Sequence, residues 1–299
     1  MRAFIFPGQG SQAVGMGKTL AEASAHAREV FQEVDEALGQ LTLTENAQPA
    51  IMANAIATLR VLERDGGVTL SGKAAYVAGH SLGEYSALCA AGAFDLATTA
   101  RLLKTRGQAM QAAVPVGVGA MAALLGADID TAQKLADAAA EGEVCTVAND
   151  NDPSQVVISG HKGAVERAVA MVKDYGIKRG VLLPVSAPFH CPLMQPAADA
   201  MAEALGANPP TAPLVPVIAN VTASPVSDAD TISNLLVEQV TGRVRWRESV
   251  GAMEAIGVTQ FVEFGGKVLG PMVKRSASGD VETVSVTSMD DIEALLKTL

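Results

Sequence analysis

Residues Val77 to Leu88 read VAGHSLGEYSAL, with Gly79, Ser81 and Gly83 spaced as Gly-X-Ser-X-Gly. An apolar run precedes the serine and a helix-forming run follows it. In that context the two glycines remove Cβ atoms from a sharp strand-to-helix turn, and the serine hydroxyl projects above the sheet as a nucleophile. A helix beginning at Leu82 adds N–H groups and a positive dipole end beside that oxygen. The chemistry this pattern supports is acyl transfer to or from a serine.

A serine hydroxyl needs a base to take its proton. The chain has four histidines. His80 neighbours Ser81 on a sharp turn, where adjacent side chains diverge. His26 lies in the polar helical stretch AEASAHAREV and reads as surface. His161 follows a strand in ISGHKG and opens a helix. His190 stands in PVSAPFHCPL, a proline-punctuated segment, and is the expected base. An oxyanion must then be held by backbone N–H groups. Leu82, just after the serine, supplies one. Gln9, between Gly8 and Gly10 in PGQGSQ, supplies the other from a loosened loop after the first strand. That loop runs on to Gly17-Lys18-Thr19, but Gln12 stands where a phosphate-binding loop requires its first glycine, so nucleotide binding is not expected.

Arg106 is the remaining informative side chain. Leu96, Thr99, Leu103, Arg106, Met110 and Ala113 recur at helical spacing and share one face, which places a guanidinium on the side meant for the core. Such a charge requires a partner. The partner is either an internal acid, making Arg106 a structural ion pair, or a substrate carboxylate, for which a planar fork is well suited.

These residues need an α/β framework. The chain reads as strand, glycine turn and helix from its start, with a strand at Ala74 to Gly79 and a helix starting after Asp95. From about Val118 the order becomes β-α-β-β-α-β within about seventy residues, the ferredoxin-like pattern. The expected organisation is an α/β-hydrolase-like core with a parallel sheet, residues 1–115 and 188–299, carrying an inserted ferredoxin-like small domain, residues 116–187. The insert is entered near Pro115 and left between Pro184 and Pro188, so the cleft falls where it joins the core.

Composition narrows the class. The 299 residues are 49% hydrophobic and 18% charged, with a formal net charge of −10. An acidic chain lacks the basic face that nonspecific nucleic-acid binding demands. No apolar run reaches the roughly twenty residues of a membrane span, and Pro7 ends the first apolar run too early for a signal peptide. Cys89, Cys145 and Cys191 have no metal-like spacing, and an odd number of cysteines fits a reducing cytoplasm.

With these residues assembled, the chain resembles the malonyl-CoA–acyl carrier protein transacylases, a family related to polyketide synthase acyltransferase domains. The stretches that carry the resemblance are FPGQGSQAVGMG, VAGHSLGEYSALCAAGA, TRGQAMQ, GAMAALLG, NDPSQVVISG, SAPFHCPLM, RVRW and VEFGGKVL, in family order. The resemblance implies ping-pong transfer of malonyl from malonyl-CoA to the phosphopantetheine thiol of acyl carrier protein, without metal or cofactor, and a monomer suits an enzyme that must admit a protein partner. It implies Ser81 as nucleophile, His190 as base, Gln9 and Leu82 as oxyanion donors and Arg106 as clamp for the malonyl carboxylate. The backbone carbonyl of Gln239 would orient His190 in place of a triad acid. Phe189 matches the pattern associated with malonyl rather than methylmalonyl, and Asn149, Asn151 and Gln155 match a polar stretch near the cleft. Two positions depart from the family pattern, Arg243 and Gly266, each where a proline is usual. An acidic carrier would dock on a local basic cluster, either Lys173, Lys178 and Arg179 or Lys267, Lys274 and Arg275. A serine esterase or thioesterase, a polyketide-pathway acyltransferase and a non-catalytic acyl-binding module are the competing readings.

Overall fold

The computed structural model describes residues 1–39 and 47–299. Among these residues two sheets form. The larger has six strands in the order β10-β9-β1-β2-β7-β8, where β1 is Arg2–Phe6, β2 Tyr76–Gly79, β7 Val217–Ala219, β8 Ser224–Val226, β9 Gln260–Phe264 and β10 Glu282–Val286. Every pairing is parallel except that of β7 with β8 at the edge. Central strands of a parallel sheet are covered on both faces, so their sequences are continuously apolar. In β1, Phe4 and Phe6 pack into one core with Phe264, their ring centroids 4.8 and 5.9 Å from its own. Ala3 and Ile5 point the other way, into a second core with Trp246 and Phe261.

The smaller sheet is antiparallel, in the order β4-β5-β3-β6, from β3 Gly119–Leu125, β4 Cys145–Asp152, β5 Gln155–His161 and β6 Arg179–Leu182. The helices Ile129–Ala140 and Lys162–Met171 complete the expected β-α-β-β-α-β order. Alternation along β3 separates its two faces. Ala122 and Leu124 pack against those helices, whereas Met121 and Ala123 face Ala148, Val157, Leu183, Val185 and Phe189 on the opposite side. That second apolar face forms a wall of the cleft.

Two ion pairs and a strand contact fix the small sheet to the core. Asp150 and Asp152 of β4 are fully buried and bind Arg247 and Arg275, each at 2.8 Å. The amide of Asp150 donates to the Val244 carbonyl and the amide of Val244 to that of Ala148. The RVRW stretch thus reaches β4 through Val244, and Arg247, the residue after it, adds the ion pair to Asp150. Arg243, at the first departure from the family pattern, lies 3.6 Å from Glu248. Gly266, at the second, packs on Pro7, whose Cγ would lie 2.8 Å from a Cβ there.

Some elements differ from the sequence reading. In sequence the helical pattern GAVERAVAMVKDYG runs on to Gly176 and the apolar strand pattern KRGVLLPV to Val185, but the helix ends at Met171 and β6 stops at Leu182. The helices Gln195–Ala207 and Trp246–Ala255 and the edge strand β8 fall in stretches for which the sequence supplied only a general α/β texture. No described helix is long and apolar enough to cross a membrane.

Candidate active site

β2 ends at Gly79, and the helix Gly83–Ala90 starts four residues later. A Cβ on Gly79 would lie 1.9 Å from the carbonyl carbon and oxygen of Gly83, and one on Gly83 would lie 2.2 Å from the Phe6 carbonyl oxygen. Both glycines of the motif are therefore demanded by backbone contact. Between them Ser81 takes a φ of 54°, in the left-handed region where a non-glycine residue is strained. Asn220, just beyond β7, braces this turn. Its Oδ1 accepts from the Ser81 amide at 2.8 Å and its Nδ2 donates to the Gly79 carbonyl at 2.6 Å.

His190 also has a positive φ, 57°, in the segment that returns from the small sheet. Its Nε2 lies 2.8 Å from Ser81 Oγ, and its Nδ1 lies 2.8 Å from the Gln239 carbonyl oxygen. Gln239 sits in the last turn of the helix Ala229–Thr241, where backbone carbonyls have no partner within the helix. That oxygen can only accept, so Nδ1 carries the proton and Nε2 is free to take one from Ser81. Burial, and after it the Arg106 charge, push the His190 pKa down to about 3. The imidazole is neutral across the physiological range.

Arg106 projects from the helix Leu96–Ala112, whose N-terminus is capped by Asp95, and it is only 1% exposed. Nη1 donates to Gln48 Oε1 at 2.7 Å, while Nη2 donates to Gln239 Oε1 at 2.9 Å and to Ser81 Oγ at 3.1 Å. All three acceptors are neutral oxygens. Nε has no partner among the described residues, and the Tyr85 ring centroid lies 5.8 Å from Cζ. Among the described residues the structural ion-pair alternative therefore lacks a directly bonded acid: the guanidinium is buried, held in place and not neutralised by contact with any of them.

The nearest carboxylate in this network is Glu84, itself buried, which accepts from Gln239 Nε2 at 2.7 Å and from the Asn220 amide at 3.0 Å. Burial pushes its pKa up to about 7, against the pull of those bonds and of Arg106.

Ser81 and His190 open onto a cleft of about 340 Å³ between the two sheets, with Gln9 also in its lining. Met121, Val157, Leu183 and Val185 line the small-sheet side, and Leu269 and Met272 the core side. Gln9 is exposed at the mouth, and the Leu82 side chain is packed into the core, so only its backbone amide is left for a ligand. Among the described residues neither the Gln9 nor the Leu82 amide forms a hydrogen bond. A larger open depression of about 660 Å³, bordered by Arg2, Lys73 and Thr298 at the opposite end of the sheet, has no histidine or cysteine in its lining.

Ser81, His190, Arg106 and Gln239, separated in sequence, are thus brought within hydrogen-bond range, and Gln9 and Leu82 flank them. None of the other histidines is hydrogen-bonded to Ser81. His80 turns away to Asn151 Oδ1 at 2.8 Å, His161 accepts from the Val144 amide, and His26 lies beside Glu29 and Asp65. Phe189, Asn149, Asn151 and Gln155 line the cleft. Sequence reasoning missed Gln48, Asn220, Glu84 and the side chain of Gln239. Glu84 carried a signal, an acid on an otherwise apolar helix face beside the nucleophile. Of the two basic clusters, the one on the core is partly occupied, since Arg275 binds Asp152 and Lys274 donates to the Val281 carbonyl. Among the described residues no cluster of three or more His, Cys, Asp or Glu side chains could hold a metal ion.

The model of the acyl transferase domain family matches residues 3–266. The chain belongs to that family. It is 43% identical to the malonyl CoA-acyl carrier protein transacylase of Escherichia coli (strain K12), over 99% of this chain and 98% of that one. Its fold matches the crystal structure of the acyl-carrier-protein S-malonyltransferase of Bartonella henselae with a TM-score of 0.95 at 52% identity, covering 99% and 98% of the two chains. It also matches, with a TM-score of 0.94 at 38% identity over 100% and 99%, a malonyl-transacylase in complex with its type II PKS acyl-carrier protein. The resemblance carried by the sequence motifs is borne out over the full length.

Proposed function

We propose that this acyl transferase moves malonyl from malonyl-CoA to the phosphopantetheine thiol of an acyl carrier protein, supplying extension units for fatty acid synthesis, through a malonyl ester on Ser81. His190 Nε2 takes the Ser81 hydroxyl proton as Oγ attacks the thioester carbonyl, and the Gln9 and Leu82 amides hold the oxyanion. The tetrahedral intermediate collapses, the C–S bond breaks, and the proton passes from His190 to the departing CoA sulfur. In the second half the carrier thiol gives its proton to His190 and its sulfur attacks the ester. The C–O bond breaks and Ser81 regains its proton. The Gln239 carbonyl, as a neutral acceptor, keeps Nδ1 protonated and steadies the imidazolium that forms in each half. The apolar walls of the cleft suit the pantetheine arm common to both thiols.

The observation that carries this reading is Arg106: a buried guanidinium, 3.1 Å from the nucleophile, whose bonded acceptors are all neutral. Leaving a cation so placed is costly unless a ligand completes it, and a malonyl carboxylate is the group that would. The same reading treats residues 1–115 and 188–299 as the catalytic unit and 116–187 as an insert that walls the cleft. It has the enzyme acting as a cytoplasmic monomer, which leaves the cleft mouth free for the carrier.

Intact mass after mixing with malonyl-CoA, and again after adding holo acyl carrier protein, tests the reading. A malonyl adduct on Ser81 that moves to the carrier is expected. An adduct lost to water at the same rate with or without carrier would identify a thioesterase. Binding without an adduct would leave only an acyl-binding module.

A further inference from the structure

Glu84 has no part in the transfer steps above, yet it is 2% exposed and two bonds from the nucleophile and the clamp. Its carboxylate is joined to both by side chains whose polarity is forced. Arg106 can only donate, and Glu84 accepts through a carboxyl oxygen whether or not it is ionised. Gln239, lying between them, must therefore turn its NH2 to Glu84 at 2.7 Å and its Oε1 to Arg106 at 2.9 Å. The same NH2 also donates to the Ser81 carbonyl at 3.1 Å. Through the Asn220 amide, Glu84 holds the residue whose Oδ1 receives the Ser81 N–H. One buried acid thus holds the Gln239 side chain by its NH2 and Asn220 by its backbone amide, the two residues that brace the clamp and the nucleophile.

An acid bonded directly to Arg106 would neutralise the guanidinium and compete with an incoming carboxylate. A glutamine interposed between them holds the guanidinium by a neutral oxygen and keeps the counter-charge one residue away. We infer that Glu84, acting through the Gln239 side chain, is a positioning residue that keeps Arg106 ordered and un-neutralised, and so sets the preference for carboxylated over neutral acyl groups. The inference rests on the malonyl-transfer reading and assigns the Gln239 side chain a role separate from that of its backbone carbonyl.

The test measures Ser81 acylation by malonyl-CoA and by acetyl-CoA, using quenched intact mass, in wild type, Glu84→Met, Glu84→Gln and Gln239→Met. Each lost hydrogen bond to a charged group should lower the malonyl-to-acetyl ratio on the order of tenfold in Glu84→Met and Gln239→Met. Glu84→Gln should stay within about threefold of wild type, because its amide oxygen can still accept both bonds. A merely structural acid would depress both acyl groups alike, so an unchanged ratio in Glu84→Met overturns the inference. Should Glu84→Met fail to fold, Gln239→Met decides, since it keeps the backbone carbonyl for His190; an unchanged ratio there overturns it equally. A Glu84→Gln ratio as low as that of Glu84→Met would also overturn the hydrogen-bonded relay. Wild type that forms no malonyl adduct, or shows no preference for malonyl, brings down the transfer reading itself. A selective wild type with unaffected variants brings down only the relay.

Discussion

Replacing Arg106 by alanine should convert a malonyl-selective site into one that favours neutral acyl groups. Arg106 is 1% exposed, so a malonyl carboxylate beside it would be screened little by water or salt. Truncating one partner of such a desolvated pair costs about 2–5 kcal/mol, which is about 30-fold to a few thousand-fold in the acylation kcat/KM for malonyl-CoA. The substitution also orphans Gln48 Oε1 and Gln239 Oε1 and frees Ser81 Oγ of one donor. Those losses, about 1 kcal/mol each, fall on every acyl group alike. The ratio of malonyl to acetyl acylation therefore isolates the charge from the packing. Quenched intact mass with each thioester at matched concentration measures it, and near-ultraviolet circular dichroism verifies the fold. Arg106→Lys should recover part of the ratio, because a point charge replaces the charge but not the fork. A ratio within about threefold of wild type in a folded Arg106→Ala enzyme would make Arg106 a structural cation and refute the reasoning.

The remaining predictions concern the base and the turn. With the His190 pKa pushed down to about 3, the acidic limb of kcat/KM for acylation should lie well below 6.5, the ordinary histidine value, and Arg106→Ala should move it upward by removing the second cause of the shift. A wild-type limb near 6.5 would contradict the burial argument. The same depression means that the unfolded chain binds the proton more readily, so His190 lowers stability as pH falls from 6.5 toward about 3, by about 1.4 kcal/mol per unit. Denaturant titrations of wild type and His190→Gln across that window test the slope. Gly79→Ala places a Cβ 1.9 Å from the Gly83 carbonyl. It should cost about 3 kcal/mol, a fall in Tm on the order of 10 °C. An unchanged Tm would show that the turn can relax.

Local sterics make much of the site legible in the order of residues alone. Gly79 and Gly83 are glycine because backbone atoms lie where their Cβ atoms would be, and that constraint is written within five residues. Helical spacing alone places Arg106 on the inner face of its helix, and four histidines are few enough for elimination. The β-α-β-β-α-β order of the small sheet is readable because each element is short, apolar on one side and punctuated by turns. Helix limits such as Met171 in place of Gly176 are less legible, because fraying ends depend on neighbours that sequence does not display.

By itself, then, the sequence marked the candidate nucleophile, the expected base, the inward-facing cation and the framework that must present them, since each follows from backbone sterics, periodicity or elimination among few histidines. Only the tertiary structure decided what Arg106 bonds to. Gln48 reaches it across 58 residues, and Asn220 and Gln239 reach Ser81 and Glu84 across 139 and 155. Local propensity is blind to contacts of that span. Whether a buried guanidinium is neutralised by an acid or held by amides depends on the folded packing of four distant segments, and that distinction separates a structural ion pair from a clamp awaiting a carboxylate.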